Sequence, residues 1–310
     1  MTIVLVGNTK SGRGLAAKLL DRFTAAIQTR GLPVTKLTLN DTNFPPESQF
    51  NPERFRGARA ILALGGDGTV NAVAPPAIRT NTPVYHVPCG NENLIARRYK
   101  MDRNPQTFLS ALGRYHIIQS DVGLAAGRRF LIMASAGPDA QIIKSLHHTR
   151  IKAIGHLAYL GPILREAAAP YLPRLTLSVD GSTKVQGRQG WLIIANDREY
   201  GARLNFVPSA GPTTQSLSAV FLPANNLADC LQWALLARAG RLIKNPRAIF
   251  TQGTEFTIHT QSPIIQIDGE HHPDFSENSP IADEITEVKV TLDQDQLPIL
   301  APDPASFKFQ

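Results

Sequence analysis

Apolar residues follow two different rhythms along this chain. In the first third, short apolar runs alternate with a stretch of helical period. Ile3–Val6, Val34–Leu39, Ala60–Leu64 and Val84–Val87 read as strands, the unbroken ones as buried strands. Leu15, Ala16, Leu19, Leu20, Phe23, Ala26 and Ile27 recur at the spacing of an amphipathic helix, which Gly31 and Pro33 bring to an end. Val70–Val73 is expected to start another helix with Thr69 near its first turn, and Leu94 to Tyr99 a third. Strands alternating with helices predict an α/β domain with a parallel sheet, whose ligands sit at the C-terminal ends of the strands.

From about Gln119-Ser120-Asp121 the rhythm changes. Phe130–Ala134, Leu175–Val179, Lys184–Gln186, Trp191–Ala195, Leu217–Leu222, Phe256–His259, Ile264–Ile267 and Val288–Leu292 are short runs separated by turns. Asp180-Gly181 is a hairpin-type turn. Ile142–Leu146 is broken by Lys144 and is not a single apolar run. A helical stretch over Ala153–Ala169, broken at Gly161-Pro162, and a clear helix from Asn226 to Ala239, ending at Gly240, are the exceptions. This order predicts a second, β-rich and mostly antiparallel domain over 123–294, following the α/β domain over 1–122.

Three polar glycine turns, Asn8–Gly14, Gly65–Thr69 and Gly90–Asn93, fall at the predicted strand ends. In Gly65-Gly66-Asp67-Gly68-Thr69, three glycines within four residues permit positive φ and close approach to a ligand. A strand, a glycine turn and a helix N-terminus together present phosphate-binding amides. Asp67 argues for a metal ion or a proton acceptor beside those phosphates; a plain tight turn is the alternative.

Composition narrows this picture only a little. The chain has 310 residues, 43% of them apolar, enough for two domains with real cores. The net charge of +7 and pI near 9.6 suit acidic partners such as nucleotides or an anionic membrane surface. The basic residues are scattered without an aromatic-rich stripe, so no nucleic-acid partner is expected. Cys89 and Cys230 form no disulfide framework or metal-finger spacing. His147-His148 lacks a spaced third zinc ligand. No run reaches the roughly 18 residues that cross a bilayer, and Met1–Val6 has no signal-peptide pattern, so a soluble cytoplasmic protein is expected.

The glycine turn resembles the Gly-Gly-Asp-Gly-Thr signature of diacylglycerol kinases, sphingosine-type and bacterial lipid kinases, and the more distant NAD kinases. Several other segments favour the lipid-kinase branch. Gly7-Asn8-Thr9-Lys10-Ser11-Gly12 is similar to its N-terminal nucleotide loop, with Thr9 where proline is usual. Pro88–Arg97 is similar to its Pro-x-Gly-Thr-x-Asn-Asp-Phe-Ala-Arg segment. Asp121-Val122-Gly123, Phe130 and Ala136-Gly137-Pro138-Asp139-Ala140 match its entry into the second domain. Asn196 with Tyr200-Gly201, then Pro208-Ser209-Ala210, and finally Ile267-Asp268-Gly269-Glu270 continue the match in order.

The resemblance implies an ATP-dependent lipid kinase that passes the γ-phosphate to a lipid or other hydroxyl acceptor. ATP would be held by Asn8, Ser11, Gly12, Gly65, Gly66, Gly68, Thr69, Asn71, Gly90, Asn91 and Asn93, with Mg2+ on Asp67. Asp268, Glu270 and Asp67 would be catalytic, with Glu270 as the base that takes the acceptor proton. Two apart, Asp268 and Glu270 would share a face of an extended strand, while Gly269 allows a bend. The C-terminal segment, about 295–310, would return through Leu297–Leu300 to complete the first domain. Peripheral contact with an anionic membrane and a homodimer through edge strands are compatible partners. The sequence departs from the family at Ala72, where glutamate is usual, at Asn91, where threonine is, and at Leu94, where an acid is. Ala202 stands where a second glycine is common, and no Asp-Gly follows Pro208-Ser209-Ala210. A nucleotide-binding member with weak or no kinase activity, or an NAD-kinase-like enzyme with a soluble acceptor, is therefore the alternative.

Overall fold

The computed structural model describes residues 1–8, 11–39, 50–149, 170–198, 200–261, 264–271 and 285–302. The loop around Pro45-Pro46, the helical stretch predicted over 153–169, His272 and the segment 303–310 lie outside the described residues. The chain forms two compact units, Met1–Val122 with Gln294–Gln310, and Gly123–Asp293.

The first unit is built on a six-stranded sheet among the described residues. β1 (Ile3–Gly7) lies parallel to both β2 (Val34–Thr38) and β3 (Ala60–Gly65), and β3 lies parallel to β4 (Val84–Pro88). Every residue of β1 and β3 is buried, as expected for parallel strands covered on both faces. The C-terminal strand Leu297–Leu300 runs parallel to β4 and antiparallel to β5 (Ile117–Ser120). Helix α1 (Leu15–Gln28) turns Ala16, Leu19, Phe23 and Ile27 inward, the stripe its sequence period foretold. Phe23 meets Phe108 at 6.2 Å, and Phe108 meets Tyr85 of β4 edge-on at 5.3 Å.

Helix α2 (Asp67–Thr80) starts three residues earlier than its apolar pattern suggested, because Gly66, extended at φ −89° and ψ −172°, is its N-cap. Pro75 and Pro76 stand inside α2 and remove the helical donors to the carbonyls of Asn71 and Ala72. Helix α3 (Leu94–Arg98) follows β4. Helix α4 (Pro105–Arg114) was not anticipated, although Asn104 caps it by accepting from the Gln106 amide at 3.1 Å and Pro105 opens it.

The second unit is strand-dominated and its pairings are antiparallel. β6 (Gly123–Ala125), β7 (Arg128–Phe130), β8 (Met133–Ala136), β9 (Arg174–Val179) and β10 (Ser182–Ala195) come first. β11 (Leu217–Pro223), β12 (Ile249–Gly253), β13 (Glu255–Thr260), β14 (Gln266–Ile267), β15 (Glu270–His271) and β16 (Thr286–Leu292) follow. The two runs Lys184–Gln186 and Trp191–Ala195 belong to one strand, β10. Register shifts at Thr183/Val185 and Val185/Arg188 bend it, so its first half pairs with β9 and its second half with β8 and β11. Alternate residues, Leu175, Leu177, Val179, Leu192, Ile194, Phe256 and Ile258 among them, form the core. The run Phe130–Ala134 is split between β7 and β8. Helix α5 (Pro138–Thr149) runs straight through Lys144, opened by Pro138 and Asp139. Helix α6 (Leu227–Arg238) is capped by Asn226, which accepts from the Asp229 amide at 3.0 Å, and Gly240 at φ 64° ends the turn beyond it.

Candidate functional site

In the first unit, β1, β3 and β4 are neighbours pointing the same way, so the turns that leave their C-terminal ends meet. The Asn8 amide bonds to the Leu64 carbonyl at 3.0 Å, and the Cys89 amide to the Gly65 carbonyl at 2.7 Å. A Cβ on Gly90 would sit 2.8 Å from the Gly66 Cα, and one on Gly12 2.5 Å from the Cys89 carbonyl oxygen. The three turns thus pack backbone on backbone, at separations only glycine allows. Positive φ is needed at Gly12, at 62°, and not at Gly66, which is extended. Gly65 is glycine because a Cβ there would strike the Thr69 Oγ1 at 1.9 Å. Freedom of the middle turn, expected to let it wrap a ligand, is in fact used for contact with its neighbours. The α2 N-terminus carries no side-chain cap, so its first-turn amides, at Asp67 and Gly68, carry the positive end of the helix dipole.

Asp67 joins two of the turns. Its Oδ2 accepts from the Leu94 amide and its Oδ1 from the Ile95 amide, both at 3.0 Å, so it caps α3 from across the sheet. Asn93, at φ 50°, closes the Gly90 turn: its Oδ1 accepts from the Gly90 amide at 2.8 Å and its Nδ2 donates to the Gly90 carbonyl at 2.7 Å. The Thr69 side chain is buried against Gly65. Asn8, Ser11, Gly68, Asn71 and Gly90 are partly open, and Asn91 is exposed. Glu92 pairs with Arg97 at 3.4 Å rather than joining Asp67, and Leu94 and Ala72 are buried.

His86 was not singled out by its sequence, since a lone histidine in an apolar strand usually belongs to the core. It is fully buried on β4, with Nε2 3.0 Å from the Gly65 carbonyl, to which it donates, and Nδ1 4.0 Å from Asp67 Oδ1. Burial holds its pKa below the ordinary histidine value against the pull of Asp67 and the Gly65 hydrogen bond. The imidazole is a neutral prop behind the Asp67 turn. Burial pushes the Cys89 thiol up to about 11, so Cys89 is an inert packing residue.

Asp268, Gly269 and Glu270 belong to the second unit. Asp268 at φ 49° and Gly269 at φ 81° are the two central residues of a tight turn between β14 and β15, so Asp268 and Glu270 do not share one extended face. The Asp268 carboxylate accepts from the amides of Leu131, Ile132 and Met133 at 2.7–2.9 Å. Those three bonds explain why the Phe130–Ala134 run is split. The Glu270 carboxyl is pushed up to about 7, first by burial and then by the neighbouring Asp268 charge, with Arg128 pulling the other way.

Behind this turn lies a network the sequence did not reveal. Asp139 accepts from the Ser135 hydroxyl at 2.5 Å, the Tyr200 hydroxyl at 2.9 Å, the Gln266 side-chain amide at 3.3 Å and the Ala140 amide at 2.9 Å. Gln266 in turn accepts from the Gly269 amide at 2.8 Å, tying Asp139 to the turn that carries Glu270. Burial raises the Asp139 pKa, while its four donors oppose the shift.

Residues 2–125 match the diacylglycerol kinase catalytic domain, and residues 132–289 match the YegS C-terminal NAD kinase beta sandwich-like domain. A diacylglycerol kinase of Staphylococcus haemolyticus is 23% identical over 273 residues, 86% of this chain and 81% of that protein. A diacylglycerol kinase of Bacillus subtilis is 22% identical over 279 residues, 86% of this chain and 89% of that protein. A solved diacylglycerol kinase structure from Bacillus anthracis aligns with a TM-score of 0.67 at 14% identity, covering 98% of this chain and 97% of the other. At that identity the structural likeness establishes the fold alone.

Proposed function

Because this chain belongs to the diacylglycerol kinase catalytic-domain family, distantly related to NAD kinases, we propose that it transfers the γ-phosphate of ATP to a lipid hydroxyl, diacylglycerol-like or related. The observation that carries this reading is the meeting of three turns at the ends of β1, β3 and β4, beside the uncapped N-terminus of α2. Phosphoryl transfer needs positioning and charge neutralisation more than covalent help from the protein. Amides of Gly66 and Gly68, with the side chains of Asn8, Ser11, Asn71 and Asn91, are suited to phosphate oxygens, while Gly90, whose amide is taken by Asn93, lets its turn pack against Gly66. Gly12 and Gly65 keep the turns close enough to act together, and Thr69 and Asn93 hold their shape.

Each Asp67 oxygen accepts one amide and keeps a second lone pair, which fits a metal-bound water or the ion itself. Among the described residues no three His, Cys, Asp or Glu side chains gather as a metal site. Mg2+ would therefore be shared between Asp67, water and phosphate oxygens, its common arrangement, and would supply charge neutralisation there. Glu270, with a pKa near 7, is suited to take the proton of the acceptor hydroxyl. The hydroxyl oxygen then bonds to the γ-phosphorus as its bond to ADP breaks. Asp268 holds the chain that positions Glu270 and, by its charge, keeps that base strong.

A second reading is nucleotide binding with weak or no turnover. It is favoured by the burial of Leu94 and Ala72, apolar where the resemblance calls for acids. Mass spectrometry of the products from ATP, Mg2+ and a panel of diacylglycerol, sphingoid base, phosphatidylglycerol and NAD separates the readings. A phosphorylated lipid is expected. A phosphorylated NAD would move the assignment to a soluble acceptor, and ATP binding without any product would establish the second reading.

A further inference from the structure

We propose that the outward face of α6, with the turn after it, is a docking surface for an anionic lipid bilayer. Helix α6 is apolar on both sides. Cys230, Trp233 and Ala237 face inward, and the Trp233 indole donates to the Pro223 carbonyl at 2.9 Å, fixing the helix on the sheet. The opposite side is apolar too. Leu231 is 54% exposed and Leu235, one turn on, 70% exposed, and Ile243 in the following turn is 55% exposed. Ala228 and Ala239 extend the same face. Of the six large hydrophobic residues that are exposed among the described residues, three fall within these thirteen positions. A helix whose solvent side also carries large apolar side chains calls for a second partner besides its own core.

Charge identifies the partner. Arg238, Arg241 and Lys244 are exposed around the apolar residues. Asp229 is the single acid in 225–247 and is taken up by Arg247 at 3.5 Å. Arg247 also lies over the Trp233 ring at 5.2 Å, so the acid at the start of the helix is neutralised by a cation fixed on the helix's inner side. Apolar side chains inside a basic ring fit the boundary between acyl chains and anionic headgroups. A second copy of the chain fits poorly, because a two-fold contact would bring the same basic ring against itself.

This surface rests on the lipid-acceptor reading only in giving the bilayer a purpose; its test measures binding without nucleotide, so its failure leaves phosphate transfer to be judged separately. The full chain is floated with vesicles of phosphatidylglycerol and phosphatidylcholine, and with phosphatidylcholine alone. Binding to the anionic vesicles is expected, weakening as salt rises. Substituting both exposed leucines, Leu231→Ser with Leu235→Ser, should lower the partition coefficient by about a hundredfold. Arg238→Gln, Arg241→Gln and Lys244→Gln should each lower it about fivefold. Unfolding temperature should be unchanged, since all five side chains point to solvent. Equal binding to neutral vesicles, or undiminished binding by the leucine variant, would overturn the proposal. So would a wild-type dimer that the leucine variant dissociates without any vesicle binding, which would make the face a self-association surface.

Discussion

Replacing Glu270 with glutamine should remove activity and add stability at the same time. Burial and the Asp268 charge lift the Glu270 pKa from 4.5 to about 7. The folded chain therefore prefers the protonated carboxyl, so the group's contribution is present below its unfolded value and is lost as pH rises through 7. The shift corresponds to about 3 kcal/mol for a fully sheltered group, and partial solvent contact reduces this to about 2 kcal/mol. Glutamine mimics the protonated acid and escapes that cost. Glu270→Gln should match wild type in denaturant unfolding at acidic pH and exceed it by about 2 kcal/mol in mildly alkaline buffer. Over the same interval wild-type kcat should rise with pH around a midpoint near 7, while the variant loses roughly 100- to 10,000-fold of it. A variant that retains most of its kcat, or a stability difference that stays flat with pH, would refute the assignment of Glu270 as a strained base.

Three further substitutions probe the supports of the site. Asp67→Asn can offer only one oxygen to the Leu94 and Ile95 amides, so it should cost about 1–3 kcal/mol of stability and weaken ATP binding in calorimetry; an unchanged melting temperature would contradict the clamp. Gly90→Ala places a methyl group against the Gly66 backbone and should cost about 1–3 kcal/mol and abolish ATP binding, whereas an unaltered ATP affinity would show that the two turns need not touch. Tyr200→Phe takes one donor from Asp139 and should cost about 1 kcal/mol in denaturant unfolding, with no change expected only if that hydroxyl bonds water equally well.

What could be read from residues alone depended on how local the deciding interaction was. The buried runs at Ile3 and Ala60, the α1 stripe, and α6 between Asn226 and Gly240 are set by neighbours within a few positions, and each was legible. The split between β7 and β8 was not, because it is made by Asp268, more than a hundred residues away. The Asp-Gly pair at 268–269 carries the same turn signal as the one at 180–181, where Asp180 and Gly181 take φ 47° and 76°. The bend that Gly269 allows is therefore a full hairpin turn, which the motif Asp268-Gly269-Glu270 does not by itself distinguish from an extended strand end. Helix α5 was missed because Lys144 interrupts its apolar residues in sequence, and a break in an apolar run argues against a strand but not against a helix. At the site, three glycine turns were visible, but the contacts of Gly66 with Gly90, Asp67 with α3, and His86 with Asp67 follow from β3 and β4 being neighbours. That adjacency is a property of the sheet, and no local spacing encodes it.

The central claim is that this chain moves phosphate from ATP to a lipid hydroxyl, and the most direct measurement follows the label. The protein is incubated with γ-labelled ATP, Mg2+ and vesicles containing, in turn, diacylglycerol, a sphingoid base or phosphatidylglycerol, and the lipid extract is separated. The account predicts label in phosphatidic acid or in another phosphorylated lipid from the panel, lost with Glu270→Gln. Label that stays in ATP despite measurable nucleotide binding, across every lipid offered, would contradict it.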